Sequence, residues 1–350
     1  MTLNTLTEEL AQKHGSDLHL VVGEPPVFRV AGALIRREGP VLENEELESL
    51  LLPHLTEAQR ALLQQGNDVE KSLRLEKNRF KMTIFHERGN LSASIRVLPT
   101  HVPTMTELGF TKEDHTALYK LPELKRGLVI VSGGVGSGKS TMTAALIEEI
   151  NQQRAERIIT LEDSFEYVFE SKKSVITQRN VGEDVPNFAY GLRSAFRSDP
   201  DVLMIGETRD LDTMAIALSL AETGHLVFST LLMPTASGAI QRIIDSFPEQ
   251  QQSVIRQMVA TNLQAVIAQR LLPRAGGTGR VAVHEIMLST PRVRQMIADG
   301  HSDLTVAIEA GRDLGMRTMD DDLVRLVENG TISSDVAWFH LQDKERLPRK

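Results

Sequence analysis

The stretch "GGVGSGKST", residues 133–141, has the residue types and the spacing of a loop that binds phosphate. It satisfies the pattern G-x-x-x-x-G-K-[ST], in which glycines let successive backbone N–H groups turn toward phosphate oxygens. The ammonium group of Lys139 would neutralise β- and γ-phosphates, and the hydroxyl of Ser140 would bind Mg²⁺. We therefore predict a nucleoside triphosphate site built from Gly133, Gly136, Ser137, Gly138, Lys139, Ser140 and Thr141.

The segments on either side of this loop have the periodicity that the pattern requires. The apolar run "GLVIV" before it predicts a strand, and "STMTAALIEEI" after it predicts a helix. The N-terminus of that helix would add a favourable field for an anion. A glycine-rich turn that matches the pattern by accident is therefore disfavoured.

Two further apolar runs end in carboxylates. The run "RIITLED" ends in Glu162 and Asp163, and "DVLMIGE" ends in Glu207. In an open parallel sheet, ligands bind at the carboxyl ends of the strands. One acid after a strand is most often a helix cap or an exposed loop residue, but two beside a phosphate loop indicate hydrolysis rather than binding alone.

The elements that must position these residues form two parts of the chain. From about Met105 the runs "GLVIVSG", "ERIITLED", "DVLMIGE" and "GHLVFST" alternate with helical stretches, which is typical of a mostly parallel sheet covered by helices. The first hundred residues instead predict a small α+β domain that ends in a hairpin, with its turn near Arg88, Gly89 and Asn90. We divide the chain into an N-terminal domain (1–98), a linker (99–104), a nucleotide-binding core (105–290) and a C-terminal helical region (291–350).

The amino-acid composition disfavours some classes of function and excludes others. A formal charge of −8 and an aromatic content of 4% disfavour a motor that acts on nucleic acid. The sequence has no cysteine, which excludes disulfides, thiolate metal sites and cysteine nucleophiles. The start "MTLNTLTEEL" lacks the pattern of a secretion leader, and no apolar run approaches the ~20 residues of a membrane span. We expect a cytoplasmic protein whose membrane role, if any, comes through a partner.

In this order the motifs resemble those of the secretion-type hexameric ATPases, and most closely the PilT-type type IV pilus retraction ATPases. "ITLEDSFEYV" is similar to the family's acidic box, "AETGHLVFSTL" to its histidine box and "SDLHLVVGEPPVFRVAG" to the start of its small N-terminal domain. "LQAVIAQRLLP" and "RVAVHEIM" recur near the end of its motor domain. Its R-x-x-P-D and G-E-x-R-D signature is matched by Arg197, Pro200, Asp201, Gly206, Glu207, Arg209 and Asp210.

The resemblance implies an α/β fold in which a small PAS-like α+β domain precedes a RecA-like P-loop NTPase domain with C-terminal helices. It implies a homo-hexamer with ATP and Mg²⁺ bound between the two domains of each subunit and completed by a neighbour. Hydrolysis would power type IV pilus retraction, and so twitching motility, at an inner-membrane platform protein. The protein would lie in the cytoplasm, associated with the inner membrane through the pilus machine.

The resemblance also implies roles for single residues. Glu162 would orient or activate the attacking water, and Glu207, with Ser140, would hold Mg²⁺ partly through water. His225 would sense or bridge near the γ-phosphate. Arg79 and Arg96, on the last strands of the small domain, are candidates for contributing charge to the phosphates, and such an arginine strongly affects phosphoryl transfer.

The histidine box departs from the family's pattern, since "TLLMPTAS" has Leu232 where a second histidine is usual. Leucine neither donates a hydrogen bond nor titrates, so any polar role of that histidine is absent. Because the phosphate loop, Glu162 and Glu207 are retained, we expect an active but slow ATPase.

Other departures lie in the acidic box, the phosphate loop and the C-terminal region. Ser164 stands where proline is usual, and Gly134 and Val135 stand where the family favours Pro-Thr. The C-terminal A-I-R-N-L-I-R-E helix is matched only in part within "TPRVRQMIADG", with matches at Arg294 and Ile297 and replacements at Ala298 and Asp299. Coupling to the pilus machinery is therefore less firmly expected than nucleotide binding.

Two other functions remain open at this point. One is an ATP-binding accessory or regulatory subunit beside a second, stronger retraction ATPase, which Leu232 favours and the retained Glu162 and Glu207 oppose. The other is the ATPase of a related secretion or conjugation machine, which shares the motor core. An assembly ATPase is disfavoured, because those usually have a longer N-terminal region and often a cysteine-bound zinc.

Overall fold

The computed structural model describes residues 1–75, 78–112, 115–277 and 279–347, and it divides into two compact units. The first unit comprises Met1–His101 with Ser164–Val168, and the second comprises Val102–Asp163 with Phe169–Lys350. Residues 348–350 of the predicted C-terminal region lie outside the described residues. The finer division, with its linker at 99–104, stays a prediction.

The described residues of the first unit form three α-helices and one six-stranded sheet. The helices are α1 (Leu3–Gln12), α2 (Asn44–Leu51) and α3 (Glu57–Gln64). The strands are β1 (Gly15–Leu20), β2 (Val27–Val30), β3 (Ala33–Arg36), β4 (Val69–Leu75), β5 (Asn78–Glu87) and β6 (Asn90–Leu98). Their order is β3-β2-β1-β6-β5-β4, with every neighbouring pair antiparallel.

The hairpin of β5 and β6 confirms the predicted turn. Glu87 pairs with Asn90, and the two residues between them have positive φ, 50° at Arg88 and 82° at Gly89. A two-residue turn of this kind matches the twist of antiparallel strands. Alternate residues of β5, beginning at Phe80, are buried in the core of this unit, so the α+β prediction is confirmed here.

The second unit combines helices with a seven-stranded sheet. Its strands are β7 (Gly127–Ser132), β8 (Arg157–Glu162), β9 (Val175–Asn180), β10 (Val202–Ile205), β11 (Leu226–Leu231), β12 (Leu263–Pro273) and β13 (Arg280–Leu288). Its α-helices in the described ranges are α4 (Thr116–Lys120), α5 (Lys139–Gln153), α6 (Phe188–Phe196), α7 (Leu211–Glu222), α8 (Ala236–Asp245), α9 (Glu249–Asn262), α10 (Pro291–Ala298), α11 (Thr305–Glu309), α12 (Met319–Glu328) and α13 (Ser334–His340).

The strand order in this sheet is β13-β12-β7-β11-β10-β8-β9. All neighbouring pairs are parallel except β12 and β13, which form an antiparallel pair. Every residue of β7 and of β11 is buried, as expected for parallel strands covered by helices on both faces. The four runs predicted as strands are β7, β8, β10 and β11, so the predicted α/β class is confirmed.

The helices after β13 confirm the predicted helical C-terminal region. Helix α12 begins with a capping box formed by Thr318 and Asp321. Its Met319 and Leu323 pack against Ala268 of β12 and Val283 of β13 in one buried cluster. Throughout the described ranges, no helix combines the length and the apolar character that crossing a bilayer requires.

The buried side chain of His115 makes the stability of the second unit depend on pH. Its ring packs against the rings of Phe110 and His284, with centroids 5.0 Å and 6.2 Å away. Burial, with the charge of Arg317, lowers the pKa of His115 from 6.5 to about 4. Between these values the unfolded chain binds a proton that the folded chain excludes, so His115 reduces stability as the pH falls through this window.

We predict that His115→Leu loses less stability than the parent between pH 7 and pH 5, because leucine has no proton to bind in the unfolded state. Urea unfolding of both proteins across this pH range measures the difference. Equal losses in the two proteins would contradict the assignment.

Candidate nucleotide-binding site

The phosphate loop joins β7 to α5, as the sequence predicts. Gly133, Gly136 and Gly138 have φ angles of 151°, 72° and 88°, which favour glycine over residues with a side chain. A Cβ on Gly133 would overlap the carbonyl oxygen of Gln269, and one on Gly138 would lie 2.6 Å from the Nε2 atom of Gln269. Backbone conformation therefore favours glycine at positions 133 and 138, and the contact with a backbone atom adds to this requirement at position 133.

Helix α5 begins at Lys139, the residue that follows this loop. Its Nζ donates hydrogen bonds to the carbonyl oxygens of Gly133 at 3.0 Å and Gly134 at 2.9 Å. Ser140 and Thr141 complete the start of the helix. Since N–H groups in the first turn lack intrahelical acceptors, they and the helix dipole favour an anion at this position.

Glu162 is the last residue of β8, and its side chain is held by two donors. Its Oε1 accepts hydrogen bonds from Thr160 Oγ1 at 2.7 Å and Gln178 Nε2 at 3.3 Å, and the residue is only 7% exposed. Gly206, just after β10, lies so close that a Cβ there would be 3.2 Å from the Cα of Glu162. The two hydrogen bonds therefore restrain the carboxylate, and the backbones of the two strand ends approach closely at Gly206.

Glu207 follows β10 and takes part in a bridge between two strand ends. Arg209 donates to Glu207 Oε2 at 2.9 Å, and the same guanidinium nitrogen lies 3.3 Å from Asp163 Oδ2. Thr208, between them, hydrogen-bonds the carbonyl of Thr230 through its backbone N–H at 3.1 Å. These contacts connect the segments after β8 and β10 with β11. Sequence reasoning selected Glu207 as a site residue but not Asp163, Thr208 or Arg209.

The parallel register brings the predicted site residues to one edge of the sheet. Leu161 pairs with Ile205, Ile205 with Ser229, and Leu231 with Ser132. The carboxyl ends of β8, β10, β11 and β7 are therefore adjacent, and we call this edge the carboxyl edge. The phosphate loop, Glu162 and Glu207 all lie there, as predicted.

His225 does not lie at the carboxyl edge. It precedes β11, and its carbonyl accepts from the N–H of Gly127, the first residue of β7, at 2.9 Å. Its Nδ1 lies 3.0 Å from the carbonyl oxygen of Leu220, and its ring packs on Phe196 with centroids 5.6 Å apart. The six residues of β11, at ~3.3 Å each, separate it from the phosphate loop.

The predicted position of His225 beside the γ-phosphate is thus wrong for its own chain's phosphate loop. The physical reason is strand direction, since a residue before an apolar run lies at the amino end of the strand. Leu232, by contrast, directly follows β11 at the carboxyl edge and is 47% exposed. The change from the family's second histidine therefore falls at the site itself.

Arg79 and Arg96 both belong to the first unit. Arg79 donates to the backbone carbonyl oxygens of Phe165 at 2.9 Å and Glu166 at 3.3 Å. Arg96 donates to Asp17 Oδ1 at 2.8 Å. Burial alone would raise the pKa of Asp17, but hydrogen bonds from Arg96 and Ser16 lower it below its ordinary value. A contact between either arginine and phosphate stays a prediction.

A cleft of about 370 Å³ opens beside the phosphate loop within the second unit. Gly138, Thr141 and Met142 line one part of it, and Gln269 and Leu271 of β12 line another. Such a mixture of apolar walls and a few polar groups is typical of small-molecule sites. Sequence reasoning missed this cleft, although "LQAVIAQRLLP" contains both of its β12 residues.

Comparison with known proteins gives matches over nearly the whole chain. Residues 1–337 match the family described as Type II/IV secretion system protein. The type IV pilus retraction ATPase PilT of Pseudomonas aeruginosa is 39% identical over 350 residues, which are 99% of this chain and 99% of that protein. The type IV pilus ATPase PilU of the same organism is 34% identical over 349 residues, covering 99% of this chain and 90% of that protein.

The crystal structure of the pilus retraction motor PilT with bound ADP is similar to this chain, with a TM-score of 0.89. The sequence identity is 38%, and 100% of each chain is covered. This similarity confirms the expected fold, with a small PAS-like N-terminal domain before a RecA-like nucleotide-binding domain.

We predict that Gly138→Ala binds ADP at least about tenfold more weakly than the parent, because positive φ costs a residue with Cβ roughly 1–2 kcal/mol and the contact with Gln269 adds to this cost. Gly134→Ala is the matched control within the same loop, since Gly134 has open space and no positive φ. Titration with a fluorescent ADP analogue measures both affinities. Similar affinities for the two variants would show that the loop tolerates a side chain at position 138.

Proposed function

This chain belongs to the family of type II/IV secretion system proteins, and we propose that it is an ATP-hydrolysing motor that powers type IV pilus retraction. The observation that carries this proposal is the placement of a phosphate loop and two carboxylates at one edge of one parallel sheet. Similarity to a pilus retraction ATPase over nearly the full length of both chains supports the assignment.

The proposed nucleotide site divides into a phosphate part and a base part. Backbone N–H groups of the loop and of the first turn of α5 would bind the phosphates, with Lys139 as the neutralising cation. The cleft beside Thr141 and Met142 would accept the base and ribose, because it is continuous with the loop through Gly138. A nucleotide bound in this way would present its γ-phosphate to the carboxyl edge.

Glu162 is the proposed acceptor for the proton of the attacking water. Its hydrogen bonds from Thr160 and Gln178 fix the carboxylate in one orientation, and general-base catalysis requires such positioning. The hydroxyl of Ser140 and the carboxylate of Glu207, partly through water, are oxygen ligands of the kind that Mg²⁺ prefers. When bound, the ion supplies neutralisation of the phosphate charge.

The proposal extends to assembly and location. We propose a homo-hexamer in the cytoplasm that acts on the inner-membrane platform protein of a pilus machine, beside a second retraction ATPase. Arg79 or Arg96 would then supply positive charge to a nucleotide whose site a neighbouring subunit completes. The likeness to PilT and PilU supports this reading.

One observation favours a second candidate function, an ATP-binding accessory subunit with weak hydrolysis. Leu232 places an exposed apolar side chain at the carboxyl edge, where the family resemblance implies a histidine that can donate a hydrogen bond. The retained and well-held carboxylate of Glu162 favours the motor over this alternative.

We predict that Glu162→Gln hydrolyses ATP ~10²–10⁴-fold more slowly than the parent, with nucleotide affinity little changed, because the amide cannot accept the proton. The measurement is steady-state ATP hydrolysis across a series of protein concentrations, together with nucleotide binding. Glu222→Gln, an exposed position at the end of α7, is the matched control and should keep the parent's rate.

The parent's rate per subunit should rise with protein concentration if neighbouring subunits complete the sites. Equal rates above background would contradict only the role of Glu162. Background rates in both the parent and Glu162→Gln would contradict the motor assignment. If both proteins also bind ATP normally, the accessory function would take its place.

We also predict that Leu232→His raises the turnover number by roughly three- to tenfold, the effect of one added hydrogen bond that contributes about 1 kcal/mol. The turnover number at saturating ATP measures this gain. Leu62→His, at an exposed position of α3 in the first unit, makes the same chemical change away from the site. A rate for Leu232→His no higher than the parent's would show that this histidine is not what limits hydrolysis.

A further inference from the structure

A chain of buried polar groups joins the phosphate loop to helix α12. Its members are Gln269 on β12, His284 on β13 and Asp322 on α12, which are 4%, 1% and 0% exposed. Gln269 Nε2 donates to the carbonyl oxygen of Ser137 at 2.6 Å, and Gln269 Oε1 lies 3.0 Å from His284 Nε2. The backbone N–H of His284 donates to Asp322 Oδ2 at 2.8 Å.

The donor and the acceptor of each side-chain hydrogen bond between His284, Gln269 and Ser137 follow from the chemistry of the groups. The carbonyl of Ser137 can only accept, so the amide nitrogen of Gln269 must face it. The amide oxygen of Gln269 then faces His284 and also can only accept, so His284 Nε2 must carry a proton and donate. The other ring nitrogen, Nδ1, lies 3.7 Å from Asp322 Oδ2. That distance is too long for a hydrogen bond, so the bond at Nε2 sets the ring orientation.

Asp322 anchors the far end of the chain. Its Oδ1 accepts from Arg317 at 2.9 Å and from Arg325 at 2.8 Å. Burial alone would raise the pKa of Asp322, but the hydrogen bond from His284 and the charges of Arg325 and Arg317 lower it well below its ordinary value. The carboxylate is thus ionised at neutral pH and holds His284 and α12 together.

At its Gln269 end, this series of buried polar groups orients a peptide group of the phosphate loop. In a trans peptide, the carbonyl of Ser137 and the N–H of Gly138 point in opposite directions. A hydrogen bond that holds this carbonyl against Gln269 therefore turns the N–H of Gly138 away from β12. An N–H group that is fixed before binding needs no reorganisation when it donates to a phosphate oxygen.

We propose that Gln269 is a positioning residue that orients the Ser137–Gly138 peptide for phosphate, and that His284 connects Gln269, and so nucleotide binding, to the order of helix α12. The inference rests on the proposed function, because it requires that the loop bind a nucleotide. Since coupling free energies are reciprocal, a link that strengthens nucleotide binding must also let the nucleotide stabilise the helix.

Packing supports this route between the loop and the helix. Helix α12 packs against the β12–β13 pair through Met319 and Leu323. The hydrogen bonds from Asp322 reach the same two strands and continue through Gln269 to the phosphate loop.

The test compares Gln269→Met with the parent. Methionine has a similar volume but neither hydrogen bond, so we expect ADP with Mg²⁺ to bind about tenfold more weakly. Hydrogen exchange of the amides in residues 319–328 gives the second readout. ADP should slow exchange in the parent and have little effect in Gln269→Met, a difference that a merely structural role would not produce. Gln264→Met, on the same strand, is the matched control and should behave as the parent does.

A second variant tests the connection to α12 separately from the orientation of the loop peptide. His284→Leu breaks the link beyond Gln269 and leaves the bond from Gln269 to Ser137 in place. We expect it to bind ADP within about threefold of the parent and to lose the slowing of exchange in α12. This variant also decides the question if Gln269→Met fails to fold.

The outcomes distinguish this inference from the proposed function. A parent that does not bind ADP would overturn both. A parent that binds ADP, with equal affinity and equal protection of α12 in Gln269→Met, would overturn only the positioning role. Weaker binding in Gln269→Met with ADP-dependent protection retained in His284→Leu would overturn the connection to α12.

Discussion

The parallel pairing of β7, β11, β10 and β8 is the constraint on which the rest of the site depends. Their register, with Leu161 opposite Ile205 and Leu231 opposite Ser132, brings the carboxyl ends of the four strands to one edge. Because β7 and β11 are buried on both faces, helices cover the sheet and leave the strand ends as the place where polar groups can gather. A shift of one residue would turn the side chains to opposite faces. Apolar packing therefore sets the positions of the groups that would do the chemistry.

A second set of contacts orients the polar groups once the strands have placed them. Arg209 spans carboxylates after β8 and β10, and Thr160 and Gln178 hold Glu162. An exposed ion pair such as that of Arg209 contributes only ~0–1 kcal/mol to stability. The Arg209 ion pairs instead fix the relative orientation of Asp163 and Glu207. Leu232 interrupts this polar edge with an exposed apolar side chain.

The β12–β13 pair gives the C-terminal helices a path to the same edge. Its apolar side chains pack with α12, while Gln269 and His284 carry hydrogen bonds through the pair from Ser137 to Asp322. Such hydrogen bonds offset the free-energy cost of burying the polar groups. The motif "LQAVIAQRLLP" supplies Gln269, and "RVAVHEIM" supplies His284. Both motifs therefore have a structural role in this network, although neither by itself indicates a chemical function.

The sequence by itself determined whatever depends on neighbouring residues. The glycine spacing of the phosphate loop, the turn at Arg88 and Gly89, and the four buried strands are local patterns, and the structure confirms each of them. Tertiary structure decided what depends on strand direction and on distant contacts. It placed His225 at the far end of β11, and it brought Gln269 to Ser137 across 132 residues of chain. Local periodicity can specify an element and its buried face, but which groups meet is fixed only when the elements pack.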